Sequence, residues 1–360
     1  MRRTYEDATQ ALVLDSELEG TSCDAEPEDL MMHITCCDWM CRLWTLQEGA
    51  LAQRLLFQFD SKAIELKSLE STLWESFVLN FASPIPGDVM SCFASFQKFS
   101  KLNGEQLFDL IRALQWRKTS WQQDETICLS ILLDLDAERI EKVEPLERMP
   151  TFLRMVRTFP LEIMFAPGPR LPQEHFSWAP QSLIPLKSFS LPSCSTSTGA
   201  VQTTQGLVTT TTGLRFDTVR VPLQDFCWFN VENDECDYRI RNLGEKEDGG
   251  ASWQDDGPHL IDSPAIVVDT QNWQDRDVFS GALVAITAEH EKFIHANFHS
   301  RVFICRETGD VPSTVMQKMR HAEALQTDMT AIWSTAERIV KKVVGDFLKV
   351  QSASSREIIS

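Results

Sequence analysis

Two apolar runs, Ala11-Leu-Val-Leu14 and Arg54-Leu-Leu-Phe-Gln-Phe59, stand on either side of a stretch with helical periodicity. That succession constrains the fold more than any other feature of the chain. Short apolar runs without polar alternation read as strands covered on both faces. Between them, Trp39-Met-Cys-Arg-Leu-Trp-Thr-Leu-Gln-Glu-Gly49 has no Pro, and no Gly before Gly49. Trp39, Leu43 and Leu46 recur at i, i+4 and i+7, one face of a helix, and Met40 and Trp44 widen the stripe. Strand, helix, strand predicts a βαβ unit with parallel strands. Two parallel strands cannot bury two faces, so residues 1–60 read as the closing remnant of a larger domain.

The same stretch holds the main chemical candidate. Trp44 and Glu48 are four apart, which makes the indole and the carboxylate neighbours on the helix surface. Desolvation beside an indole disfavours the charged carboxylate and raises its pKa, a preparation for proton transfer. The plainer reading is a solvated glutamate one residue before a helix-ending Gly49.

The 360 residues are 43% hydrophobic and 24% charged, ordinary globular material. A net charge of -18 repels phosphate backbones and anionic lipid, which argues against nucleic acid and membrane surfaces as partners. No run of about 18 apolar residues suggests a membrane span, and Glu6 and Asp7 stand where a signal peptide needs an apolar core. These features predict a cytoplasmic protein. Ten cysteines scattered over a chain of this length predict reduced thiols.

Residues 61–160 read as a helical region. Leu66, Leu69, Leu73, Trp74, Phe77 and Val78 keep helical spacing, and Phe93, Phe96, Leu107, Leu110, Ile111 and Leu114 resume it after Pro84 to Gly87. Thr119 or Ser120 suits an N-cap, with Gln123 completing a capping box and Asp124 and Glu125 in the first turn. Residues 161–310 read as β-rich. Ile163 to Phe165, Arg215 to Val221, Phe226 to Val231, Ala265 to Val268, Ala282 to Ile286 and Arg301 to Cys305 are strand candidates. Ser193 to Gly213 suits a flexible loop or Thr-rich strand edges. Residues 311–360 carry a long final helix from Thr314 to Val350. The fold class is therefore mixed α/β, α+β overall.

Other chemistry is thin. His33, Cys37 and Cys41 would share a helical face, but a closed zinc site takes four ligands. His290, His295 and His299 lie between apolar runs where i, i+4 spacing does not join imidazoles. Neither metal nor cofactor is expected. Gly-x-Ser-x-Gly, a phosphate-binding Gly-rich loop with Lys, and His-Glu-x-x-His are all absent.

The string Trp39, Met40, Arg42, Leu43, Trp44, Thr45, Leu46, Gln47, Glu48, Gly49, with Tyr5-Glu-Asp-Ala8 and Leu12-Val-Leu-Asp15 upstream, resembles the closing segment of the fungal heterokaryon incompatibility (HET) domain. The resemblance covers about the first 60 residues. Arg117-Lys-Thr-Ser120 with Asp124-Glu125, Glu147-Arg-Met149 and Phe176-Ser-Trp-Ala-Pro180 look like the region that often follows this domain. HET domains are distantly similar to TIR domains, so the resemblance implies a partial TIR-like βαβ unit. It also implies a role in fungal non-self recognition and cell-death signalling. The implied partners are other proteins of an incompatibility pathway, or the chain itself. Some TIR domains cleave NAD with a glutamate in a Trp-x-x-x-Glu helix, which implies Glu48 as the catalytic candidate for NAD glycohydrolysis. Trp39, Arg42, Leu43, Trp44, Gln47 and Gly49 are implied as motif residues. The opening HET blocks, of the type Ser-Tyr-x-Trp-Gly and Leu-Trp-Ile-Asp-x-Leu-Cys-Ile-x-Gln, do not occur in the sequence. Their absence implies a truncated gene model or a degenerate, catalytically dead member acting as an interaction module.

Overall fold

The apolar runs flanking Trp39 to Gly49 pair as parallel strands in the computed structural model. It describes residues 2–80, 107, 110–111, 113–114, 117–184, 199–210, 213–216, 220–223, 228–232, 237–243, 259–268, 278–290, 293–307, 343–344, 347–349 and 357–359. Helix and sheet are mixed throughout, as the pattern of residues predicts. The chain divides into two compact units, one of Met1–Pro160 with Ser182–Ser193 and one of Leu161–Gln181 with Cys194–Ser360.

In the first unit, β1 (Ala11–Val13) lies parallel to β2 (Leu55–Gln58), with Ala11 opposite Leu55 and Val13 opposite Phe57. A hairpin through Asp60 and Ser61 adds β3 (Ala63–Glu65) antiparallel to β2, giving the order β1-β2-β3. The sheet and its flanking residues put Val13, Leu55, Phe57 and Phe59 into the core, while Leu12 on the edge strand and Leu14 just past its end are 49% and 65% exposed, so β1 is not covered on both faces as expected. Helix α1 (Arg2–Glu6) precedes β1, α2 (Ser16–Glu19) is capped by the Asp15 side chain, and α3 (Pro27–Cys36) begins on Pro27, whose missing N–H costs nothing at a first turn.

The helix expected to run unbroken from Trp39 to Gly49 is two helices. α4 (Asp38–Cys41) ends at Arg42, which is extended at φ -87, ψ 137, and α5 (Leu43–Leu51) continues through Gly49. Gly49 therefore does not stop the helix, which ends at Ala52. Trp39, Leu43 and Leu46 are still buried together. Cys37 is also extended, so His33 and Cys41 share no helix with it. Among the described residues no three metal-ligating side chains converge.

Among the described residues of 61–160, helices stand beside the strands Ala63–Glu65 and Thr158–Phe159. In α6 (Leu66–Asn80), Leu66, Leu69 and Leu73 are buried. Leu107, Leu110, Ile111 and Leu114 are buried too, while Phe93 and Phe96 lie outside the described residues. α7 runs over Asp124–Leu132, capped by Gln123 without a side-chain bond, so the expected Ser120 capping box does not form. Thr119 instead turns the chain, accepting from the Trp121 N–H through Oγ1. α8 (Ala137–Glu141) and α9 (Pro145–Val156) follow, the latter burying Met149, Phe152 and Leu153 and closing at Arg157 with φ 67.

Among its described residues the second unit is mostly antiparallel sheet. Strands Gly213–Phe216, Pro264–Val268, Val278–Glu289, Phe293–Glu307, Asp237–Asn242 and Trp228–Glu232 pair in that spatial order. Ile240, Ile266, Val268, Phe279, Leu283, Val302 and Ile304 form its core. Gly281 sits where a Cβ would come within 2.7 Å of Ile266 Cγ2 and 2.9 Å of the Val267 carbonyl, so only glycine lets these strands approach. Ser193 to Gly213 contains a true hairpin, Ala200–Thr203 with Gly206–Thr210. Ile163 to Phe165 is not a strand but part of a 3-10 turn, Leu161–Phe165. Buried Arg170 holds that turn by donating to the carbonyls of Met164, Ala166 and Trp178 at 2.8 to 3.0 Å, with its guanidinium 4.5 Å from the Phe298 ring. Of the final helix expected over Thr314 to Val350, residues 314–342 lie outside the described residues. At its end Val343–Val344 and Phe347–Lys349 are strand, the latter antiparallel to Gly213–Phe216.

Candidate functional site

Asp15, the residue that follows the first apolar run, sets the site. One carboxylate oxygen accepts from the Glu17 N–H at 3.1 Å and the other from the Trp39 N–H at 3.1 Å, so a single side chain caps α2 and α4. Trp39 is thereby fixed above the sheet, with its indole edge-on to Phe57 of β2 at 5.5 Å and 89°. Its Nε1–H donates to Glu48 Oε2 at 3.2 Å, and the Tyr5 hydroxyl of α1 donates to Glu48 Oε1 at 3.2 Å. The indole that grips Glu48 is thus that of Trp39, not Trp44. Burial, the negative charge of Glu48 and their hydrogen bond all push the Tyr5 pKa up, so its proton stays on the phenol.

The break at Arg42 has a cause 75 residues away. Arg117, 4% exposed, donates from Nη1 to the Arg42 carbonyl at 2.9 Å and to Thr45 Oγ1 at 2.8 Å. Thr45 donates back to a carbonyl of the broken turn, that of Trp39 or Arg42. Leu43 N–H and Cys41 C=O, which an unbroken helix would use internally, pair with Lys118 instead. The Arg117 guanidinium also lies 5.8 Å from the Trp39 ring centroid. The Arg42 side chain itself is exposed, so its position matters through its backbone.

The remaining motif residues serve packing. Leu43 and Gln47 are buried, Gly49 is buried inside α5, and Trp44 Nε1–H donates to Asp124 Oδ2 at 3.2 Å, tying α5 to α7. Next to Asp124, Glu125 is wholly buried. Its carboxylate accepts from the Ser182 hydroxyl at 2.7 Å and from the backbone N–H groups of Leu183 and Ile184. Burial pushes its pKa up to about 7 against those three hydrogen bonds, which pull it down. Nothing in its spacing marks Glu125 out from an ordinary first-turn acid.

Glu48 opens into a cleft of about 280 Å³ lined by Thr4, Tyr5, Ala8, Gln10, Ala11, Leu12, Val13, Trp39, Glu48 and Leu55. The lining offers one carboxylate, one phenol, the Thr4 and Gln10 side chains and aromatic and aliphatic surface, with neither Lys nor Arg. It has no cation to meet the pyrophosphate of a dinucleotide. Among the described residues, His290, His295 and His299 do not gather with each other or with Cys, Asp or Glu into a group of three. His295 and His299 are four apart on one strand, roughly 13 Å along it, while His290 and His295 meet edge-on with ring centroids at 5.5 Å. Among the described residues no helix is long and apolar enough to cross a membrane. Comparison with family models, with curated proteins and with solved structures finds no match for this chain.

Proposed function

We propose that the chain is a HET-related protein of fungal non-self recognition, acting in the cytoplasm as a protein-interaction module of cell-death signalling. The observation that carries this reading is the open edge of β1. Among the described residues β1 pairs with β2 alone, Leu12 on it is 49% exposed, and Leu14, one residue past its end, is 65% exposed. Exposed apolar residues on an unpaired edge are a template for association with another chain. Its partner is another protein of the pathway or a second copy.

The competing reading is NAD cleavage by Glu48. In its favour, Trp39 and Tyr5 hold the carboxylate at the wall of a cleft. Against it, the lining supplies no positive charge for the phosphates and no second acid or base besides the raised Tyr5 phenol. The interaction reading is therefore placed first.

Expression of the full chain in a filamentous fungus tests it. The wild type arrests growth, and the double variant Leu12→Asp/Leu14→Asp, folded by circular dichroism, does not. Growth arrest by the double variant equal to that of the wild type overturns the reading.

A further inference from the structure

We propose that the Glu48 cleft is the anchoring pocket for a basic side chain, Lys or Arg, carried by an extended partner segment that pairs with the free edge of β1. This rests on the interaction reading and adds the chemistry of the partner. Both groups that bond Glu48, the Tyr5 hydroxyl and the Trp39 indole N–H, are neutral, so they orient the carboxylate without cancelling its charge. Among the described residues no Lys, Arg or His forms an ion pair with it. A carboxylate beside aromatic and aliphatic surface, with the polar Thr4 and Gln10 side chains in the same lining, is the complement of a Lys or Arg side chain, whose carbon stem seeks apolar surface and whose head seeks negative charge, hydrogen-bond acceptors and ring faces. About 280 Å³ is below the roughly 300 to 1,000 Å³ of pockets that take whole drug-sized ligands, and suits a single side chain.

The cleft and the strand edge are continuous. Ala11, Leu12 and Val13 line the cleft and are also the whole of β1. Ala11 N–H points to β2, donating to the Arg54 carbonyl, and alternation along a strand then turns the Leu12 N–H to the free edge. A segment hydrogen-bonded there runs past the cleft mouth. Charge selects its composition. Exposed Asp7, Glu17 and Glu19 flank β1 in sequence, and the chain carries -18 overall, so a second copy brings repulsion where a basic segment brings attraction. Arg2, the cation of α1 that is half-buried, is taken up by Glu6 and by the carbonyls of Ile131 and Leu132.

Selection of a randomised nine-residue peptide library on the full chain tests the proposal, followed by affinity measurement on wild type, Glu48→Gln and Leu12→Asp. Selected peptides are expected to carry Lys or Arg among β-branched residues, to bind Glu48→Gln at least tenfold more weakly, and to slow hydrogen exchange at the Leu12 amide. Glu48→Gln has the same shape and still accepts from Trp39, so it keeps the fold. No enrichment of basic residues, or equal affinity for Glu48→Gln, overturns the anchor. N-acetyl-arginine amide binding as tightly as the peptides makes the cleft a small-cation site and overturns the strand pairing. A dimer that forms without peptide and resists Glu48→Gln assigns the edge to a second copy and overturns the basic partner. If the anchor fails while Leu12→Asp/Leu14→Asp still abolishes growth arrest, the interaction reading survives without it.

Discussion

Replacing Glu125 by Gln removes a buried charge without changing its shape, and the structure fixes how the effect depends on pH. In the unfolded chain the carboxyl titrates near 4.5, and in the fold burial carries it to about 7. Between those values the folded chain keeps a proton that the unfolded chain has released, so raising the pH favours unfolding. The stability this group contributes is fully present below about 4.5 and is lost as the pH rises through about 7. The span corresponds to about 3 kcal/mol at full loss. Gln mimics the protonated acid, with its oxygen accepting from the Leu183 and Ile184 N–H groups and its amide facing the Ser182 hydroxyl. Neighbouring Cys128 is itself buried, with its thiol pushed up to about 12, and stays neutral over this range. Urea denaturation of the full chain, followed by tryptophan fluorescence from pH 5 to 8, measures the difference between wild type and Glu125→Gln. The variant should gain about 2 to 3 kcal/mol on the wild type across that range. A difference that does not change with pH refutes the burial of a titrating carboxylate at this position.

Substitutions at three further positions probe the frame around Glu48. Arg117→Ala removes the donor that holds the Arg42 break and leaves a buried gap, and should cost about 2 to 4 kcal/mol in urea unfolding, with Arg117→Lys recovering only part. Trp39→Phe keeps the edge-on contact with Phe57 but not the bond to Glu48, and should cost about 1 kcal/mol while Trp39→Ala costs about 3 to 5, by thermal or urea unfolding. Asp15→Ala uncaps α2 and α4 together and should cost about 1 to 2 kcal/mol, with Asp15→Asn closer to wild type. Gly281→Ala in the second unit drives a methyl into Ile266 and the Val267 carbonyl and should cost upwards of about 1 kcal/mol, read as a lower melting temperature.

The parallel pairing of Ala11–Val13 with Leu55–Gln58 was readable in advance because both strands are short continuous apolar runs, although β1 is covered on one face only, with Val13 buried and Leu12 49% exposed. The apolar stripe Trp39, Leu43, Leu46 was readable from its own spacing. The break at Arg42 was not, because its cause is a guanidinium 75 positions away, and nothing between Trp39 and Gly49 other than Thr45 hints at a cap. Helical spacing placed Trp44 beside Glu48, yet the Trp44 N–H finds Asp124 of α7 and a different indole, across the break, takes the carboxylate. Glu125 was legible only as a first-turn acid, since its partners come from the chain's return to the first unit at Ser182. In the second unit, the sequence located strands at Gly213–Phe216, Trp228–Glu232, Pro264–Val268, Val278–Glu289 and Phe293–Glu307 but fell short of the length of the last two, and it missed Asp237–Asn242 and His259–Asp262. The Val278–Glu289 and Phe293–Glu307 strands extend through polar residues such as Ser280, His295 and His299, held by cross-strand pairing rather than by composition.

Release of nicotinamide from NAD by the purified full chain, followed by proton NMR with wild type and Glu48→Gln side by side, tests most directly whether the first unit binds or catalyses. An interaction module whose cleft lacks a cation for pyrophosphate releases no nicotinamide above the buffer blank, and the two proteins give the same trace. Release by the wild type that Glu48→Gln abolishes would contradict it and assign the cleft to NAD cleavage.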